Sequence, residues 1–287
     1  MTIAAKAAAY YDRLGDNYIS ERQSTHLQRY HRRRFDSAKA LLTGVVQGGS
    51  LYDFGCGTGE LFSELGNAFA YHGCDISPEM IRLCGDRTGV VCAVGGIEHF
   101  ESRPGPFDAV VVLNTLPYLT EDDERRFYQH AAKALRPGGA LLISHTNMLF
   151  DLVSFNRYTV EFYRDVVCPA AAIDPSAADH IASGLLKQGD YPPADPATMN
   201  AGPATQISDR DKVAKRRVDP FEYPRQVEAF GFKLGKLTPL NCYALPPLVT
   251  HLPALALEQA QHLWAERLPP TLAKILSTQF QAVFVRS

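Results

Sequence analysis

Apolar residues change their spacing several times along the 287-residue chain, and each change marks an element. Up to residue 47 they recur at helical intervals, first as Tyr10, Tyr11, Leu14 and Tyr18, then as Phe35, Ala38, Leu41 and Leu42. These runs predict two helices with a break near the stretch RQST. Leu51, Tyr52 and Phe54 form a short β-prone run, and Leu61, Phe62 and Leu65 return to helical spacing. YHGCDISPEMI (71–81) predicts a second strand ending at Asp75 and a helix starting at Ser77-Pro78-Glu79. VCAVGGIEHF (91–100), FDAVVVLNTLPYL (107–119) and LRPGGALLISHTN (135–147) predict three more strands with their turns. Strands alternating with helices over 48–147 predict a doubly wound α/β sheet.

The pattern then loosens. MLFDLVSFNRYTVEFYRDVV keeps helical spacing, CPAAAIDPSAADH breaks it with prolines, and GDYPPADPATMNAGPATQ reads as loop. A loop this long in a compact protein is expected to be a lid or binding loop, mobile across about 188–210. After it, PFEYPRQVEAFGFKLGKLTPL predicts helix, glycine turn and strand, and TQFQAVFVRS alternates as a last strand. The expected organisation is a helical cover (1–47), an α/β half (48–147), an inserted cap (148–220) and a closing part of the sheet (221–287).

One stretch carries chemistry. LYDFGCGTGE (51–60) reads as strand, tight turn and helix, with Gly55, Gly57 and Gly59 in the turn. Glycine permits positive φ and lets a ligand lie against bare backbone, while the following helix aims its free N–H groups at the same place. A P-loop would end Gly-Lys-Ser/Thr, and a dinucleotide fingerprint would put its third glycine where Glu60 stands. Asp53, two residues before the first glycine, would repel a pyrophosphate and suits a cationic ligand. Asp75 lies twenty residues beyond Gly55, where nucleotide folds place the acid that grips ribose hydroxyls.

These motifs, in this order over residues 50–147, resemble the class I S-adenosylmethionine-dependent methyltransferases. The resemblance implies a Rossmann-like seven-stranded sheet, its last strand antiparallel between the fifth and sixth, and S-adenosylmethionine as cofactor. It implies Asp75 on both ribose hydroxyls and Ile76 against the adenine, with Met80 nearby. Gly96 stands where the family commonly has an acid for the adenine amino group, so the adenine edge is expected on backbone near Gly96 and Ile97. Asn114 is expected at the methionine moiety, Tyr118 beside the methyl group, and Tyr18 over the cofactor. Tyr11 is expected more as a core aromatic than as a cover.

For catalysis, methyl transfer needs aligned reactants and, for a hydroxyl acceptor, a base. His145 ends the strand run LLIS, at the edge where open α/β sheets hold ligands, and is the expected base because histidine titrates near neutrality. No metal is expected: Asn147 and Asp151 are too few oxygens for magnesium, and the six cysteines show no zinc spacing. The run Lys212, Lys215, Arg216, Arg217 is expected as a solvated helix face rather than an anion site. A net charge of −2 gives no pull toward nucleic acid. No signal peptide or membrane-length apolar run is evident, and cysteines without C-x-x-C spacing, several in or beside predicted strands, fit a cytoplasmic home. A looser resemblance to small-molecule methyltransferases of bacterial glycan and secondary-metabolite pathways implies a small-molecule acceptor. An RNA-directed methyltransferase, a non-catalytic binder of the cofactor and, less favoured by the glycine spacing, an NAD-linked oxidoreductase remain alternatives.

Overall fold

The computed structural model describes residues 3–22, 25–155, 157–177, 179, 215–243 and 266–287. The proline-rich stretch expected as a mobile lid, with Lys212, lies outside the described residues.

Seven strands form one sheet: β1 (Gly49–Phe54), β2 (Phe69–Asp75), β3 (Ala93–Val94), β4 (Phe107–Val112), β5 (Leu135–Thr146), β6 (Phe232–Cys242) and β7 (Ser277–Arg286). Their order is β3-β2-β1-β4-β5-β7-β6. The first five pair in parallel, while β7 runs antiparallel to both β5 and β6. The strand predicted last in sequence is therefore interior, and β6 takes the edge.

Alternation along each strand sorts the two faces. Val110, Val112, Leu141, Ile143, Phe280 and Phe284 belong to one apolar layer, and Ala109, Val111, Ala140, Leu142 and Val283 to the other. Burial on both sides explains why β4 and the later part of β5 read as continuous apolar runs. Helix α1 (Ile3–Arg22) contains a kink at Gly15, and α2 (Thr25–Thr43) lays Phe35, Ala38, Leu41 and Leu42 on the second face. α3 (Glu60–Leu65) and α4 (Pro78–Thr88) follow β1 and β2, with α5 (Ile97–Glu101) after β3 and α6 (Glu121–Ala134) after β4. α6 puts Phe127, Tyr128 and Ala131 into the first face.

Among the described residues that follow β5 are the short helices α7 (Phe150–Ser154), α8 (Arg157–Phe162) and α9 (Cys168–Ala170). α10 (Tyr223–Glu228) packs Tyr223 and Val227 on the first face, and α11 (Pro270–Ile275) precedes β7.

Strand order reverses at β1. The connection from β1 runs outward to β2, and the one from β3 returns to β4 on the other side. The loops leaving β1 and β4 therefore diverge and leave a crevice at their carboxyl ends.

Candidate active site

The crevice is a cavity of about 400 Å³, lined by the β1–α3 turn, the ends of β2 and β4 and residues of α1 and α2. Its floor is the glycine turn. The N–H groups of Gly55 and Cys56 donate to the Cys74 carbonyl at 2.8 and 3.0 Å, fastening the turn to β2. Gly55 has φ +79°, and a Cβ there would lie 2.0 Å from Thr115 Oγ1, so backbone and neighbour both require glycine. Gly57, at φ +54°, lies on the cavity wall with nothing nearer its absent Cβ than Glu60 at 3.8 Å. The bare backbone of the turn is thus open to the cavity at Gly57. Gly59 lies behind it, its absent Cβ 2.9 Å from Cys84 Sγ, and serves packing rather than contact.

Asp53 and Asp75 are among the carboxylates that line the cavity. Asp53, 3 % exposed, receives a hydrogen bond from the Tyr71 hydroxyl; burial pushes its carboxyl up to about 7. Asp75 accepts from Gly57 N at 3.0 Å and Ser77 N at 2.9 Å, so it sets the shape of the turn as well as its charge. Burial pushes Asp75 up to about 6, although both N–H groups pull the other way. The two acids make this side of the cavity favour a cationic occupant.

Ile76, Met80, Gly96 and Ile97 line the next part of the wall. Asn114 also lines it, held at φ +58°, with its N–H donating to Ser144 Oγ at 2.7 Å. A non-glycine residue in that region is uncommon and here is fixed by β5. Above the turn, α1 contributes Tyr11 and Tyr18. Tyr11 is not a plain core residue: its hydroxyl donates to the Tyr118 hydroxyl at 3.0 Å, and its ring meets both Tyr18 and Tyr118 edge-on at 6.0 Å.

His145 departs from expectation. It shares a face with Leu141 and Ile143, and its ring lies 5.1 Å from Tyr223 on the α10 side of the sheet. Thr146, on the opposite face, lines the cavity instead. Burial pushes the imidazole down to about 3, and among the described residues its Nε2 has no hydrogen-bond partner. A one-residue step along a strand reverses the side chain; His145 is at the right edge and on the wrong face to serve as base.

The basic run also differs from the expected solvated face. Arg216 pairs with buried Glu124, which also receives the Tyr223 hydroxyl, and Arg217 pairs with Asp151 at 3.0 Å. The Arg216 N–H donates to Pro117 O at 2.8 Å, and Val218 bridges to Asn147 beside β5. Asn147 Nδ2 donates to the carbonyls of Lys274 and Ser277, both at 2.6 Å, which is a clamp on β7.

Several lining residues escaped the sequence reading, among them His31, Arg34, Glu60, Leu113, Thr115 and Gln279, and Lys215, expected on a solvated face, also lines the cavity. Glu60 had a signal, as an acid at the first helical position beside the turn. The others come from elements whose docking no local pattern encodes. The same holds for Cys56, Cys84 and Cys92, on three separate segments, whose sulfurs lie within 4.8 Å of one another. Tyr71, Ile81 and Val90 pack around this thiol trio.

Residues 51–139 match the family model of a methyltransferase domain. The chain is similar to a carboxy-S-adenosyl-L-methionine synthase from Chromohalobacter salexigens, 33% identical over 131 residues, 41% of this chain and 47% of that protein. A malonyl-[acyl-carrier protein] O-methyltransferase from Hahella chejuensis is 34% identical over 113 residues, 36% of this chain and 39% of that protein. The chain thus spans less than half the length of these relatives. In fold it is similar to a magnesium protoporphyrin IX methyltransferase from Synechocystis solved with bound SAM, with TM-score 0.54 and 12% identity over 100% of this chain and 98% of that one. Domain match, strand order and the acid-flanked glycine cradle agree: the chain carries a class I S-adenosylmethionine-dependent methyltransferase domain, with S-adenosylmethionine as its cofactor.

Proposed function

We propose that the protein transfers the methyl group of S-adenosylmethionine to an oxygen or nitrogen of a small molecule. The observation that carries this reading is the cavity at the β1/β4 reversal, with Asp53 and Asp75 beside the bare Gly57 backbone. When bound, the cofactor supplies a methyl group on a sulfonium, a good leaving group. The chain's part is to bind, align and keep water out, and alignment alone lowers such barriers by ~7–11 kcal/mol. In this reading Asp75 takes the ribose hydroxyls, Ile76, Gly96 and Ile97 hold the adenine, and Asn114 meets the methionine part. Tyr11, Tyr18 and Tyr118 shield the methyl group, and Tyr118 positions the acceptor.

Residues 148–220 are proposed as the acceptor-side segment, since Lys215 from this stretch lines the cavity. A small acceptor is favoured over RNA because a net charge of −2 offers no broad basic face. No helix among the described residues is long and apolar enough to cross a membrane. Six cysteines without a disulfide support a reducing compartment such as the cytoplasm.

One relative's name favours a second reading, in which the cofactor is itself carboxylated. Mass spectrometry of the cofactor after turnover with a metabolite extract separates the two. Methyl transfer yields S-adenosylhomocysteine; the second reading yields a cofactor heavier by a carboxyl group. Calorimetry that finds no S-adenosylmethionine binding sinks both.

A further inference from the structure

The cavity carries charges of both signs, and they come from different parts of the chain. Asp53, Glu60 and Asp75 belong to the glycine-turn side, where a cationic cofactor belongs, and the other two lining acids, Glu98 and Asp123, are paired with Arg126. His31 and Arg34 of α2 and Lys215 line the same cavity. His31 and Arg34 are three apart on a helix and so share one face. Arg34 is 6 % exposed, and its carbonyl accepts from Gln281 Nε2 at 3.0 Å, which seats this turn of α2 on β7.

Lys215 is positioned by its neighbour. Arg216 is fixed to Pro117 through its N–H and to Glu124 through its guanidinium, and this carries Lys215 over the loop after β4. The ammonium lies 5.4 Å from the centre of the Tyr118 ring. Arg216 and Arg217 spend their charges on Glu124 and Asp151, while among the described residues no carboxylate pairs with Lys215.

A hydroxyl acceptor would need a base. The strand-end histidine expected in that role faces away from the cavity, Asp53 is engaged by Tyr71 and Asp75 by two N–H groups, while Glu60 stands on the glycine-turn side and His31 beside Arg34 on α2. An acceptor already ionised at neutral pH needs no base, only cations to hold it. Building on the methyl-transfer reading, we propose that the acceptor is an organic acid whose carboxylate is held by Lys215 with Arg34 and is methylated on oxygen. The step balances: a carboxylate lone pair forms the new O–CH3 bond as the C–S bond breaks, its pair staying on sulfur. The products are a neutral methyl ester and a neutral thioether, and no proton is released. Tyr118, beneath the ammonium, would lie between the acid and the cofactor.

The test uses the full chain with methyl-labelled S-adenosylmethionine and three parallel arms: aliphatic and aromatic carboxylic acids, the matching alcohols and the matching amines. The acid arm also receives the acidic fraction of a bacterial metabolite extract. Mild alkali releases ester label as volatile methanol, whereas ether and N-methyl label stays in place. The expected result is alkali-labile label in the acid arm alone. Lys215→Glu should raise KM for the acid about ten- to a hundredfold, the range of a lost charge-assisted hydrogen bond, with cofactor affinity and melting temperature unchanged. Alkali-stable label in the alcohol or amine arm, or no label in the acid arm, overturns the acid acceptor. An unchanged KM in Lys215→Glu overturns the role of that residue. Failure of the cofactor to bind is seen before any acceptor is added, and sinks the methyl-transfer reading separately.

Discussion

Asp53 and Asp75 are raised by the same cause, burial, and this fixes a pH dependence for cofactor binding. Both groups hold their protons to about 7 and about 6 in the free fold, against ~4 in an unfolded chain. The folded state therefore binds more protons between these values, and free-protein stability falls as pH rises through that window. A cationic cofactor favours the ionised acids, so its affinity should rise from pH 5 to about 7 and level off above that. Calorimetry near pH 6.5 in two buffers of different ionisation enthalpy should show proton release on binding. Affinity that falls across this range would count against the assignment. His145 leads to the opposite kind of expectation. It is neutral and packed on Tyr223, so His145→Leu should change turnover by no more than a few-fold and leave its pH profile unaltered. A loss of 10²–10⁴-fold, as for a general base, would restore the role that its place in the sequence suggests.

Elements are joined here by a few polar fastenings as well as by apolar layers. Glu124 of α6 is the central one, since it takes both Arg216 and Tyr223, and the Tyr223 hydroxyl lies 2.6 Å from that of Tyr128. Replacing a buried acid leaves its cation without compensation, which costs ~3–5 kcal/mol, less where water still reaches the partner. Arg216 is part exposed, so Glu124→Gln should sit near the low end in a denaturant titration. The same variant should release the segment 215–218 from the loop after β4 and weaken acceptor binding more than cofactor binding. If KM and Kd move together, the segment serves the whole cavity rather than the acceptor side.

Across the whole molecule, β7 carries more than its place at the end of the sequence suggests. It pairs with β5 and β6 and buries Phe280, Ala282, Val283 and Phe284. Each large apolar side chain contributes ~1.5–3 kcal/mol when buried, and a domain's net stability is only ~5–15 kcal/mol. Removal of residues 277–287 should therefore abolish cooperative melting by circular dichroism, and a native-like melt of that truncation would falsify the interior placement of the strand.

What the sequence determined by itself is local or repeats at a fixed spacing. The strand–turn–helix of residues 51–60 is legible because positive φ at Gly55 and Gly57 admits few residues but glycine. Asp75 is legible because one βα unit has a nearly constant length. The β/α alternation predicts the parallel half of the sheet, since both layers need continuous apolar strands. The tertiary structure alone decided which face a strand-end residue takes, and so put Thr146 rather than His145 on the cavity. It alone brought Arg34 and Lys215 to one cavity, and Cys56, Cys84 and Cys92 into one cluster. Arg34 and Lys215 lie on elements far apart in the chain, and the cysteines on separate elements of one β/α stretch, so each meeting depends on how elements dock. Local spacing records the shape of each element; the partners it meets are set by packing between elements.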